Sequence, residues 1–226
     1  LLSLTSILVL LSFLSVTENY SKSKGFIGSI LVLHFAVNGV FLSGDLLSLF
    51  IFFEAILIPM YFLMGIWGGD NRRYATIKFI IYTVFGSIFI FIGTVYTGVI
   101  SYSQTGTLAL DYVTLSNLNF TSQQSKALFL LFTFGFLVKV PLFPLHTWLP
   151  DAHVEAPTAG SILLAGVLLK VGAFGILRVS IPFFTEGFLE YRDIIATLSV
   201  IGIIYGAVVA IAQIDIKKLI AYSSIS

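Results

Sequence analysis

Long runs of Leu, Ile, Phe and Val alternate along this chain with short polar clusters. Seven apolar segments can be drawn, at about 1–16, 26–43, 46–67, 75–100, 127–149, 158–178 and 193–212, and an eighth begins near Leu219. Several reach the roughly 20 residues that a helix needs to cross the hydrocarbon core. Transmembrane strands would alternate apolar and polar positions over about ten residues. These runs are continuous, so the pattern predicts an all-α integral membrane protein, a polytopic bundle of about seven transmembrane helices plus the start of an eighth. Leu1 to Val16 reads as a helix and not a signal peptide, because it has no basic leader and no small-residue cleavage site. The one long connection, 101–126, is polar and turn-rich and is expected to lie outside the bilayer. It is a loop rather than a domain boundary, and 1–226 reads as a single membrane domain. Short links such as Ser43-Gly44-Asp45 predict antiparallel packing of neighbouring helices.

Composition agrees with this pattern. The chain is 58% hydrophobic and 10% charged, with a mean hydropathy of +1.02, beyond the roughly half apolar usage of soluble domains. Cysteine is absent, which excludes disulfides and Cys-ligated iron–sulfur clusters within the chain. A net charge of +1 with no basic tract gives no reason to expect nucleic acid. If the chain crosses at each segment, Lys22, Lys24, Arg72, Arg73, Lys78, Lys217 and Lys218 collect on one side. The other side receives Lys126, Arg178 and Arg192. The more basic side should face the cytosol-equivalent compartment.

Against this background a few ionisable residues stand in the wrong solvent. Glu54 lies about halfway through LLSLFIFFEAILIPMYFLMGIW, where exposure to lipid would cost on the order of 2.5–3.5 kcal/mol or more. It must face protein or water, either as a neutral acid hydrogen-bonded to another helix or as a proton-exchanging carboxylate. Lys139 is interior to its segment and is followed at once by Pro141 and Pro144. Each proline removes a backbone donor and crowds the preceding turn, so the helix should break there. Broken helices at membrane depth are tolerated only where protein or a water cavity satisfies the freed groups, and transporters use such breaks as ion sites. Lys170 is a third interior charge, on a segment whose Gly166, Gly172 and Gly175 permit close helix contact; snorkelling to the interface is its alternative. His146 and His153 follow the broken helix with Asp151 and Glu155, and read either as a polar surface loop or as a proton entrance. The spacing of the two histidines fits no zinc pattern, and no metal is assigned. His34, alone on an apolar helix, reads as a hydrogen-bonded core residue.

FFEAILIPMYFLMGIWGGDNRRYATIKFIIYTVFGSIF and VKVPLFPLHTWLPDAHVEAPTAGSILLAGVLLKVGAFGILR closely resemble the antiporter-like subunits of respiratory complex I, the subunit 4 branch above all. AQIDIKKLIAYSSIS resembles the start of that family's next helix, so the likeness covers most of 46–226, while the first 45 residues match only in character. The resemblance implies that Glu54 pairs with Lys139 across two helices and that Lys170 stands on a hydrophilic axis carrying protons laterally. It also implies a subunit of two inverted five-helix repeats, each with one broken helix. Here 26–178 would be the first repeat and 179–226 the start of the second. The chain begins with Leu and ends before the second broken helix and its lysine. A separate polypeptide, the product of a split gene, is therefore expected to supply the later helices; the alternative is that the chain itself continues.

The resemblance further implies a proton-translocating subunit of NADH:ubiquinone oxidoreductase in the mitochondrial inner membrane. No redox chemistry is expected in this chain, because NADH, FMN, iron–sulfur clusters and ubiquinone would belong to partner subunits. Other membrane-arm subunits and lipids are the expected partners. The 22 phenylalanines suit an AT-rich organelle gene. Two alternatives differ in what they predict. A sodium/proton antiporter or membrane-bound hydrogenase subunit would show sodium-dependent transport without NADH oxidation, and a structural scaffold would show no proton path of its own.

Overall fold

The structure, a computed structural model, describes residues 1–16 and 24–226, so Lys22 of the charge count lies outside it. In order the helices are α1 (Leu2–Leu14), α2 (Lys24–Leu42), α3 (Leu46–Ala55), α4 (Leu57–Trp67), α5 (Arg72–Thr105), α6 (Tyr112–Asn117), α7 (Ser122–Lys139), α8 (Trp148–Glu155), α9 (Thr158–Phe183), α10 (Thr185–Ile211) and α11 (Ile216–Ile225). No sheet occurs among the described residues. α2, the α3–α4 pair, α5, α9 and α10 are each long and apolar enough to cross a membrane. α7 and α8 follow one another with the chain interrupted between them at 140–147.

Several element boundaries differ from the hydrophobic pattern, among them the start of α10 at Thr185 and not near 193. α5 runs to Thr105, well past the end of its apolar run, and there Ser103 and Thr105 return their hydroxyls to the carbonyls of Ile100 and Ser101 at 2.8 Å each. Its 34 residues span about 50 Å at 1.5 Å per residue, and Gly106 ends it with φ +73°. The connection is shorter than 101–126 and carries α6. A reciprocal capping pair, Gln124 N–H to Thr121 Oγ1 at 3.3 Å and Thr121 N–H to Gln124 Oε1 at 2.9 Å, starts α7 at Ser122. The segment at 46–67 is two helices meeting at Ile56. Pro59 explains the join, since it has no N–H to offer the Ala55 carbonyl.

Two ends of the bundle can be told apart by what they hold. At one end Asp45 caps α3 through Ser48 N–H at 2.7 Å, and Asp111 caps α6 through Thr114 N–H at 2.8 Å. The Thr114 amide holds the Asp111 carboxyl below the usual carboxylate range. Leu46 N–H to Leu110 O and Tyr112 N–H to Gly44 O, both 3.1 Å, stitch the two capped links together. Arg178 lies over the Tyr112 ring at 5.1 Å, and Lys126 pairs with Glu190 at 3.2 Å. At the opposite end Phe26 meets Trp67, Lys78 pairs with Asp151, and Lys217 Nζ donates to Val154 O at 2.9 Å. Lys24, Arg72, Arg73, Lys78, Lys217 and Lys218 therefore gather at one end, as the alternating crossings predicted.

α7 is the central post, and glycines seat it. A Cβ at Gly135 would lie 2.6 Å from the Gly86 carbonyl oxygen, one at Gly172 2.7 Å from that of Phe136, and one at Gly187 2.7 Å from that of Ser125. α5, α9 and α10 thus each reach the α7 backbone at a glycine.

Candidate functional site

Lys139 is the last residue of α7 and is 2% exposed. Helix C-termini favour cations because their last carbonyls lack amide partners. Around its ammonium stand rings rather than acceptors, with Nζ 4.9 Å from the Phe53 centroid and 5.6 Å from that of Phe79. Cation–π attraction of this kind is worth about 0.5–2 kcal/mol. Nζ has no hydrogen-bond partner among the described residues. Glu54, next to Phe53 on α3, is half-buried and stands within charge reach of Lys139, yet one of its carboxylate oxygens is buried with no hydrogen bond. The two groups act on each other without forming an ion pair among the described residues.

Both groups sit beside interrupted backbone. Glu54 lies two residues before the Ile56 join, and Lys139 stands immediately before the break. One carbonyl beside the break has a side-chain partner, since the buried Trp148 Nε1 donates to Val138 O at 3.0 Å. Pro150 falls in the first turn of α8, where a missing N–H costs least.

Lys170 stands apart from that pair. Its side chain is exposed near the middle of α9, and Nζ donates to Ala165 O at 2.6 Å on the same helix. α9 carries two π-helical stretches, Leu164–Leu168 and Ile176–Ser180, on either side of Lys170. Such widened turns are frequent at functional positions. Gly172, two residues on, meets the Lys139 Cβ, so Lys170 projects from another face.

The histidines after the break are not on a surface loop. His146 and His153 are 3% and 4% exposed. His146 lies between Phe143 and Tyr205, with centroids at 5.6 and 5.1 Å. His146 Nδ1 and His153 Nε2 are buried with no hydrogen-bond partner among the described residues. Asp151 and Glu155 face the basic end, where Asp151 pairs with Lys78 at 2.7 Å. Glu155 Oε2 accepts the Asn71 N–H at 3.0 Å. A polar cleft of about 310 Å³ opens between them and Asp215 and Lys218. His34 is half-buried, with Nε2 3.4 Å from Ser6 Oγ on α1. No group of three His, Cys, Asp or Glu that could hold a metal occurs among the described residues.

Residues 43–226 match the NADH:quinone oxidoreductase/Mrp antiporter transmembrane family. The chain belongs to this family. It is 44% identical over 224 residues to NADH-quinone oxidoreductase subunit M of Rickettsia typhi, covering 99% of this chain and 44% of that one. Against NADH-ubiquinone oxidoreductase chain 4 of Marchantia polymorpha it is 44% identical over 224 residues, covering 99% and 43%. The chain thus spans less than half the length of these curated relatives. Respiratory complex I from Thermus thermophilus with bound NADH contains a chain that superposes with a TM-score of 0.86 at 32% identity, over 100% of this chain and 46% of that one. An archaeal membrane-bound sulfane sulfur reductase shares the fold, with a TM-score of 0.86 at 24% identity.

Glu54, Lys139, Pro141, Pro144, His146, His153 and Lys170 all fall inside the family region. The sequence alone did not reveal the join at Ile56 or the aromatic surround of Lys139. Pro59 could have signalled the first, being placed to unsatisfy a carbonyl one residue from Glu54. The surround had no signal, because Phe53 and Phe79 are two of 22 phenylalanines.

Proposed function

We propose that the chain is a proton-translocating part of the membrane arm of an NADH:quinone oxidoreductase, seated in the mitochondrial inner membrane. Lys139 carries the proton, Glu54 sets through its charge how readily Lys139 releases it, and Lys170 passes it on. His146 and His153 connect the site to the polar cleft at the basic end. The observation that carries this reading is a buried lysine at a helix break with a carboxylate in charge reach and no hydrogen bond to hold its proton. A purely structural lysine would be expected to find acceptors, because an unpaired buried charge is costly. On this reading the crossings within 26–178 form one five-helix repeat and 179–226 opens the next. NADH, FMN, iron–sulfur clusters and ubiquinone belong to partner subunits. Lys170, exposed at mid-membrane depth, calls for a protein neighbour and not lipid, which suits other membrane-arm polypeptides packed on that face.

Moving one charge against 100 mV takes about 2.3 kcal/mol, so transfer must be gated by events elsewhere in the assembly. The test is proton yield per electron in membrane vesicles carrying Lys139→Ala or Glu54→Ala. Loss of coupled pumping with the assembly intact is expected. A normal yield in both variants removes their assigned roles, and sodium-dependent transport without NADH oxidation would replace this reading with an antiporter.

A further inference from the structure

α8 ends in a junction of three elements. The Ala156 N–H closes its last helical bond on Ala152 O, and Pro157 has no N–H to return, so the carbonyls of His153, Val154 and Glu155 need donors from elsewhere. Each finds a different one. Ser161 Oγ of α9 reaches His153 O at 3.2 Å, Lys217 Nζ of α11 reaches Val154 O at 2.9 Å, and Gly69 N–H, between α4 and α5, reaches Glu155 O at 2.9 Å. Of the three donors, Lys217 alone carries a charge.

Lys217 belongs to the first turn of α11, which Asp215 caps by accepting the Lys217 N–H at 2.8 Å. A cation there opposes the positive end of its own helix but suits the negative end of α8. The charge bias of the basic end accounts for a lysine at this position, though not for its seat on a carbonyl one residue from His153. His153 Nε2 is buried with no hydrogen-bond partner among the described residues. Burial holds the His153 imidazole below its ordinary range, and the Lys217 charge adds to that.

The other titratable groups around α8 are engaged elsewhere. Lys78 of α5 holds Asp151, Glu155 accepts the Asn71 N–H, and Asp215 accepts that of Lys217. Tyr74 of α5 and Lys218 of α11 line the polar cleft, and Tyr222 of α11 is within charge reach of Asp151 and Lys78. Tyr205 of α10 meets the ring of His146.

We infer that Lys217 is a positioning residue for proton uptake: seated on Val154 O, its ammonium keeps His153 uncharged, so that His153 holds a proton from the cleft only in passing. The inference rests on the proton-transfer role proposed for His153. A histidine relay must be neutral between transfers, because a ring that keeps its proton blocks the next one.

The chain has three histidines, so the ring resonance of His153 is assigned by its loss in His153→Gln and titrated in the full chain reconstituted in bilayers. Lys217→Met should raise its midpoint, the proton being held about tenfold more tightly without the cation. Lys217→Arg should keep the original midpoint, and so should Lys218→Met, the same change of charge one residue on. In vesicles holding the assembled complex, proton translocation is then followed as the pH on the basic side falls. Lys217→Met should lose uptake at about tenfold lower proton concentration than the unsubstituted complex, while uptake well above the midpoint stays normal. An unmoved His153 midpoint, the same shift in Lys217→Arg, or a loss equal at every pH, as from a purely structural lysine, would each overturn the inference. Pumping that survives Lys139→Ala would instead remove the proton-transfer reading, and the titration would still decide whether Lys217 governs His153.

Discussion

Two lysines of this protein each stand near a carboxylate, and they are held in opposite ways. Lys78 at the basic end touches Asp151 at 2.7 Å, with both side chains partly in water. Lys139 in the interior has Glu54 in charge reach but touches rings instead of oxygens. The first pair can exchange with solvent, and losing it exposes nothing. The second is buried with no hydrogen-bond partner among the described residues, so its protonation depends on whatever charge approaches. Contact fixes a proton, whereas separation at low dielectric leaves it free to answer distant charges.

The comparison is broken most severely by Lys139→Met, which keeps the apolar stem and deletes the charge. Proton yield per electron should fall to background. The thermal unfolding midpoint should stay level or rise, since replacing buried charge by apolar groups is often neutral or stabilising. A drop in the midpoint would mean that the charge is structural. Gly172→Val comes next. Its Cβ would sit 2.7 Å from the Phe136 carbonyl oxygen and 3.0 Å from the Lys139 Cβ, so α9 must move off α7 at a cost of about 1–3 kcal/mol. Unfolding in detergent and proton yield should decline together. Trp148→Phe retains the ring but leaves the buried Val138 carbonyl unpaired, a loss of about 1–3 kcal/mol, measurable as faster amide exchange on both sides of the break. Smallest is Lys78→Met. Its pair is 21% and 34% exposed, so screening limits the loss to about 0.2–1 kcal/mol, and the loss should fade as salt rises.

The crossings were legible because lipid demands continuous apolar runs, and the break at Pro141 and Pro144 was legible because proline chemistry is local. Helix ends were harder to read. Hydropathy falls at 101–105, but helical backbone bonds do not require apolar side chains, and the helix continues until Gly106 closes it. The loop's α6 is short and depends on Asp111 as its cap and on the Asp45 link beside it, a contact more than sixty positions away in sequence. At the site, Glu54 and Lys139 could be named individually and their pairing came only through family resemblance. The missing ion pair, the aromatic surround and the outward stance of Lys170 depend on side-chain packing that no periodicity encodes.

The glycine seats of α7 have a mechanical corollary. Because Gly135, Gly172 and Gly187 carry no Cβ, α5, α9 and α10 can each approach α7 at the level of the backbone, where an added carbon would lie within 2.7 Å of a carbonyl oxygen. A larger residue at any of these seats therefore has to displace a whole neighbouring helix and not a single side chain.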